Sequence, residues 1–100
     1  MKLINTTNSH TRLVQSQLEN TDAFLVETYS AGNTDVIFTQ APLHYELLIS
    51  NKYRAILPTE IDGIREFFLR RKIDKNTINP AGIRTIHTDR LIEMSIPIIK

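Results

Sequence analysis

The 100-residue sequence contains no cysteine, and this absence excludes several kinds of site. A chain without thiols has no disulfide framework, no thiolate zinc site, no catalytic cysteine and no CxxC redox centre. Glycine is scarce too, and the three glycines form neither a GxGxxG motif nor a phosphate-binding P-loop. Since GxSxG is also missing, the local signatures of redox, nucleotide and serine-hydrolase chemistry are absent, and we predict no cofactor.

Long apolar runs are also missing. Only Leu3 and Ile4 follow Lys2 before a polar stretch begins, which is too short for the apolar core of a signal peptide. No run approaches the roughly 18 residues that a membrane-spanning helix needs. We therefore expect a soluble, cytoplasmic protein with no membrane partner.

The composition is that of a folded domain with little net charge. Hydrophobic residues make up 41% and charged residues 23% of the chain, and its length suits a single domain spanning residues 1–100. The net charge of +1 argues against strong nonspecific DNA binding. Residues 1–51 carry two basic and five acidic residues, whereas residues 52–100 carry ten and six. Such asymmetry can mark a partner-facing surface, although folding can also intermix the two halves.

Residues 58–75 carry the signals of one complete amphipathic helix. Thr59 is the predicted N-cap, with Asp62 three residues later in a variant of the capping box. Acidic residues near the start and basic residues near the end suit the helix dipole. At 3.6 residues per turn, the predicted buried stripe consists of Ile61, Ile64 and Phe68.

A first β-hairpin is predicted over residues 23–40. Residues 23–30 and 35–40 are rich in strand-forming side chains. Gly32 and Asn33, which lie between them, tolerate the positive φ of a tight reversal.

A second hairpin is predicted over residues 45–57. Residues 45–50 and 53–57 would be its strands, on either side of Asn51 and Lys52. A helix through residues 46–48 remains the alternative, because so short a window does not separate the two periodicities.

The other periodic segments complete an α+β pattern. We predict strands over residues 1–5, 83–87 and 90–99, and a surface helix over residues 10–20. Pro97 cannot donate to a ladder, so the last strand should be an edge strand or fray there. The predicted fold class is α+β, with a single antiparallel-rich sheet of about five to six strands and two helices on one face. A ferredoxin-like topology is one possibility.

Three histidines are the candidates for acid–base or metal chemistry. His10, His44 and His87 lie far apart, and none has a histidine or carboxylate at metal-ligand spacing along a helix. We therefore expect neither a metal site nor an enzyme. A pocket gathering one of these histidines with a carboxylate would favour a small enzyme instead.

Basic residues form two clusters that suggest a phosphate or nucleic-acid surface. Arg70-Arg71-Lys72 ends the predicted helix, where the dipole alone also favours positive charge. Lys52-Tyr53-Arg54 places a ring between two bases, as in nucleic-acid stacking sites, but edge strands commonly carry such charges. Arg65 falls inside the apolar sector between Ile61 and Leu69, so it must reach outward or find a partner. The candidate binding residues are Lys52, Arg54, Arg65, Arg70, Arg71 and Lys72.

Several short segments together resemble a known group of proteins. Met1-Lys2-Leu3-Ile4-Asn5 leads to Asn8-Ser9-His10, followed by Leu48-Ile49-Ser50-Asn51-Lys52 and Glu66-Phe67-Phe68-Leu69. Over its length the chain is similar to a small uncharacterised protein family of lactic-acid bacteria. The resemblance implies a bacterial cytosolic protein, and it implies no activity and no functional residues.

The sequence leaves two main functional hypotheses open. The first is an interaction or regulatory module that binds itself or another protein, because an apolar edge at residues 94–99 would invite pairing with a second copy. The second is a nucleic-acid or phosphate-ligand binder that uses the six basic residues. A small enzyme without a local motif is the least favoured alternative.

Overall fold

The computed structural model describes residues 3–6 and 25–99, and these form one antiparallel sheet with a helix on one face. The strands are β1 (Ile4–Asn5), β2 (Leu25–Ala31), β3 (Thr34–Gln40), β4 (His44–Asn51), β5 (Arg84–Thr88) and β6 (Leu91–Pro97). The helix is α1 (Pro58–Arg71), followed by two short 3₁₀ helices, Lys75–Thr77 and Pro80–Gly82. The spatial order is β1-β2-β3-β4-β6-β5, which confirms the predicted α+β class and the single antiparallel sheet.

Two details of the predicted architecture change. The helix predicted over residues 10–20 lies outside the described residues, and α1 is the α-helix that the described ranges contain. The ferredoxin-like topology is wrong, because it interleaves two split β-α-β units, whereas β2, β3 and β4 follow one another as hairpins. One split unit is present: α1 connects β4 to β5, and β6 lies between these two strands.

The first predicted hairpin is confirmed, and its turn depends on one glycine. β2 pairs with β3 up to Ala31↔Thr34, so only Gly32 and Asn33 lie between the strands. Gly32 has a φ of 62°. A positive φ at the first of two loop residues is the type II′ pattern, which glycine adopts without strain and which matches the twist of the strands.

The second predicted hairpin is wrong, although its first half is a strand. Residues 45–50 lie in β4, so the helical alternative is wrong as well. The side-chain oxygen of Asn51 then closes a turn by accepting hydrogen bonds from Tyr53 N at 2.8 Å and Arg54 N at 3.1 Å. Both edges of β4 are occupied by β3 and β6, so residues 53–57 find no edge there to pair with.

The helix α1 begins and ends earlier than predicted. Leu57 is the N-cap residue and Pro58 occupies the first helical position, so Thr59 is not the cap. Proline suits this position because the N–H that it lacks would have no helical partner there. Glu60, three residues after Leu57, accepts a hydrogen bond from Leu57 N at 3.0 Å. The helix ends at Arg71 rather than at residue 75.

The predicted apolar stripe of α1 is confirmed as the face that packs on the sheet. Its buried residues are Ile61, Ile64 and Phe68. The Phe68 ring stacks on Phe38 of β3, with centroids 4.9 Å apart, and meets Tyr29 of β2 edge-on at 5.0 Å. Alternate residues of the central strands form the sheet side of this core, among them Val36, Leu47, Ile49, Ile92, Met94 and Ile96.

The strand β6 lies inside the sheet and not at its edge. It pairs with β4 on one side and with β5 on the other, so the prediction of an apolar edge at residues 94–99 is wrong. Met94 and Ile96 are buried in the core. The strand ends at Pro97, which is the other outcome expected of its missing N–H. The edge strand beyond β6 is therefore β5.

We expect Phe68→Ala to lower the free energy of unfolding by about 3–5 kcal/mol, since it removes a buried ring at the meeting point of three elements. Chemical denaturation measures this loss. Leu43→Ala is the matched control, because Leu43 is 64% exposed, and it should change the stability by less than about 0.5 kcal/mol. Equal effects of the two substitutions would contradict the central position of Phe68.

Candidate functional site

The six candidate basic residues lie before, within and after α1, and they do not form one patch. Lys52 and Arg54 precede the helix, whereas Arg70 and Arg71 end it and Lys72 follows. The 14 residues of α1, at about 1.5 Å per residue, separate the two groups by roughly 20 Å. A single basic surface made of both groups is therefore not present.

At the start of α1, Arg54 is engaged by Glu60. Its Nη1 and Nη2 donate to the two carboxylate oxygens of Glu60 at 2.6 and 2.8 Å, a bidentate pair. Thr34 Oγ1 and Leu57 N also approach this carboxylate, at 3.5 and 3.0 Å. The hydrogen bonds from Arg54 are the main cause that lowers the pKa of Glu60 to about 2, despite its partial burial.

A buried hydrogen bond extends this ion pair into the sheet. Asn51 Nδ2 donates to Thr34 Oγ1 at 3.0 Å, and both side chains are buried. Thr34 begins β3 and Asn51 ends β4, and the two are directly paired. We call Thr34, Asn51, Arg54 and Glu60 the Glu60 cluster. It ties the helix to the sheet, which is a structural use of Arg54.

Arg65 meets a carboxylate on the surface and not in the core. Its Nη2 donates to Asp62 Oδ1 at 2.9 Å, one helical turn earlier. The side chain is 36% exposed, so it lies on the flank of the buried stripe and reaches outward. The Arg65 guanidinium therefore needs no partner inside the apolar core.

At the other end of α1, Lys72 is engaged by Glu27 of β2. Lys72 Nζ lies 3.1 Å from Glu27 Oε1, and Tyr29 OH donates to the same oxygen at 3.0 Å. Burial raises the pKa of the Tyr29 phenol, and the adjacent Glu27 carboxylate raises it further. Asn5 Nδ2 of β1 reaches the second carboxylate oxygen at 3.5 Å. Glu27 thus joins two strands to the end of the helix.

The remaining bases, Lys52, Arg70 and Arg71, form no ion pair with the part of the chain that the structure describes. The Arg71 guanidinium lies 5.2 Å from the centre of the Phe67 ring, a cation–π contact. Arg70 and Arg71 border a shallow depression of about 240 Å³ that also includes Glu66 and Phe67. This end of the helix therefore offers unpaired positive charge beside a concave surface.

The structure brings one histidine next to a carboxylate. His44 Nε2 lies 3.3 Å from Glu46 Oε1 on β4, and the side chains are 20% and 5% exposed. His87 is exposed on β5, and His10 lies outside the described residues. Within residues 3–6 and 25–99, no three histidine, aspartate or glutamate side chains converge as a metal site would require. Neither His44 nor Glu46 lines the depression beside Arg70 and Arg71.

The feature that the sequence missed is the exposed edge strand β5. Its residues are all exposed, and Ile86 at its centre is 62% exposed. The described part of β1, at the opposite edge, contains only two residues. Residues 83–87 were predicted to form a strand, but local periodicity does not indicate which strand of a sheet lies at its edge.

Comparisons with known proteins identify the family to which the chain is similar. Residues 1–97 match the model of a family described as "Domain of unknown function (DUF1827)". The chain is similar to a conserved protein of unknown function from Streptococcus thermophilus LMG 18311, whose crystal structure covers 98% of this chain and is itself covered to 97%, with 68% identity and a TM-score of 0.87. No curated protein matches the chain. The resemblance to an uncharacterised family of lactic-acid bacteria is thereby confirmed.

None of the described helices has both the length and the apolar character needed to cross a membrane.

The Glu60 cluster predicts a pH dependence of stability. Because folding lowers the pKa of Glu60 from 4.5 to about 2, its contribution is fully present above about pH 5 and is lost as the pH falls toward 2. We expect Glu60→Gln to lower the unfolding free energy at pH 7 by about 1–2 kcal/mol.

Denaturation curves of the wild type and the variant between pH 7 and 2 test this expectation, since the difference between them should shrink with acid. Asp62→Asn is the control, because its partner Arg65 pairs with it on the exposed helix surface. A constant difference across the pH range would contradict the role of Glu60.

Proposed function

The chain belongs to the DUF1827 family, and we propose that it is a small cytoplasmic interaction module that associates with a second copy of itself. The observation that carries this proposal is the edge strand β5. Five consecutive exposed residues, without proline and without a described strand beyond them, present unpaired backbone N–H and C=O groups. Native proteins usually shorten, charge or cover such an edge, and β5 carries only one charged residue of fixed sign, Arg84 at its start.

The sequence of β5 suits antiparallel pairing with itself. A two-fold axis through Ile86 places Ile86 opposite Ile86 of the second copy and Arg84 opposite Thr88. The two Arg84 side chains are then about four residues apart along the pair, or about 14 Å, so like charges do not meet.

The contact would continue the sheet from one copy into the other. Backbone hydrogen bonds would supply most of the contact, and the facing Ile86 side chains would supply apolar burial. Pairing through one five-residue strand of each copy buries little surface. Interfaces of small area are generally weak and reversible. We therefore expect a monomer–dimer equilibrium rather than a permanent dimer.

Sedimentation velocity from about 10 µM to about 1 mM tests this equilibrium, with the dimer expected to increase with concentration. Ile86→Lys should weaken association by about tenfold or more, since it places two ammonium groups opposite each other. Leu43→Lys makes the same change at an exposed site in the β3–β4 loop and should leave association unchanged. A strict monomer at every concentration would overturn the proposal, as would equal effects of the two variants.

A second candidate function is weak binding of nucleic acid or phosphate groups at the end of α1. It is favoured by Arg70 and Arg71, which border one depression and have no ion pair among the described residues. Of the other candidates, Arg54, Arg65 and Lys72 already contact Glu60, Asp62 and Glu27.

Arg70→Glu combined with Arg71→Glu should abolish any binding of a single-stranded oligonucleotide, and wild-type affinity should fall steeply with salt. Because Arg54 is held by Glu60, Arg54→Gln should leave binding unchanged and serves as the control. Fluorescence anisotropy at low salt is the measurement. The absence of a wild-type signal would exclude this function.

A further inference from the structure

A groove on the face of the sheet opposite α1 is not used by the proposed self-association. It lies where the second 3₁₀ helix, Pro80–Gly82, meets the start of β5 and the end of β6. Its volume is about 460 Å³, and it is lined by Ala81, Gly82, Ile83, Arg84, Ser95 and Pro97. This volume falls within the range of small-molecule sites in proteins.

The register of the two strands brings two hydrogen-bond donors together in the groove. Ser95 lies between the buried residues Met94 and Ile96, so it points to the opposite face of the sheet. Arg84 is directly opposite Ser95 in the β5–β6 pair and shares that face. Side chains in such positions have Cβ atoms about 5 Å apart. A guanidinium and a hydroxyl at this separation can donate to one oxyanion.

Neither donor is used by the described protein. The Arg84 guanidinium has no carboxylate within ion-pair distance among the described residues, and the Ser95 hydroxyl has no hydrogen-bond partner among them. Glu46, the cross-strand neighbour of Ser95 on its other side, has its Oε1 3.3 Å from His44 and is 95% buried. The Glu46 carboxylate forms no ion pair with Arg84, so it does not occupy that guanidinium.

The rest of the groove is apolar and closely packed. Ala81, Ile83 and the Pro97 ring supply the apolar wall. A Cβ atom added to Gly82 would lie 2.8 Å from Pro97 Cγ, so only glycine lets the 3₁₀ helix sit this close to the rigid ring. The backbone N–H groups of residues 81–83 already donate within this turn. An anion would therefore be held by the two side chains and not by the backbone.

From this combination we propose that the groove binds a small organic acid, with its carboxylate on Arg84 and Ser95 and its compact apolar body against Ala81, Ile83 and Pro97. The carboxylate matches the planar fork of the guanidinium, and the apolar wall selects against a bare inorganic anion. The site does not depend on self-association, because it lies on a face of the sheet whereas β5 would pair through its edge.

Isovalerate is a suitable probe, and isovaleramide is its neutral counterpart of the same shape. In an ¹H–¹⁵N correlation titration, isovalerate should shift the amide signals of residues 81–84, 95 and 96, with a dissociation constant of about 1–10 mM. Isovaleramide and inorganic phosphate should shift them much less. Equal shifts with isovaleramide, stronger binding of phosphate, or no localised shift with isovalerate would each overturn the proposal.

Two variants separate the donors, and a third is the control. Arg84→Gln should weaken isovalerate binding by about tenfold and Ser95→Ala by a few-fold, whereas Arg70→Gln should leave it unchanged. Unaltered binding by Arg84→Gln would contradict the assignment. The Ser95→Ala result does not depend on pairing at the β5 edge, and sedimentation of Ile86→Lys reports on that pairing alone, so the two proposals can fail separately.

Discussion

The Glu60 carboxylate is the interaction on which the position of the helix depends. It accepts hydrogen bonds from Arg54 and from Leu57 at the start of α1, and Thr34 connects it to Asn51 at the ends of two central strands. Four groups from the sheet, the loop and the helix thus meet within one polar cluster. Because the helix is held at this end, its apolar stripe lies over the centre of the sheet, where Phe68 packs against two strands.

Ion pairs around the helix engage charges from both halves of the sequence. Glu27, in the acidic half, meets Lys72, in the basic half, and Glu60 and Asp62 engage Arg54 and Arg65 within the basic half. These pairs position the helix and reduce the free positive charge around it. Among the described residues, the features that remain for partners are the end of α1 with Arg70 and Arg71, the β5 edge and the groove beside it. Self-association and ligand binding would therefore use neighbouring but separate surfaces.

Much of the local structure could be predicted because it depends on neighbouring residues. The positive φ of Gly32 fixes a hairpin, the spacing of Ile61, Ile64 and Phe68 identifies the buried side of the helix, and the missing N–H of Pro97 ends the last strand. The predicted N-cap, Thr59, lies two residues after the observed N-cap, Leu57, because threonine is by itself a favourable N-cap residue. Proline at the first helical position and Glu60 at the third outweigh it.

The candidate sites were less predictable, since each depends on residues that are distant in sequence. The sequence by itself determined the α+β class, the absence of thiol chemistry and the faces that are buried, because periodicity and residue type act locally. Only the tertiary structure decided that β6 is inside and β5 outside, that Arg54 and Lys72 are paired, and that Arg84 stands opposite Ser95. Strand order and register arise from hydrogen bonds between remote segments, and no local pattern records which segments will meet.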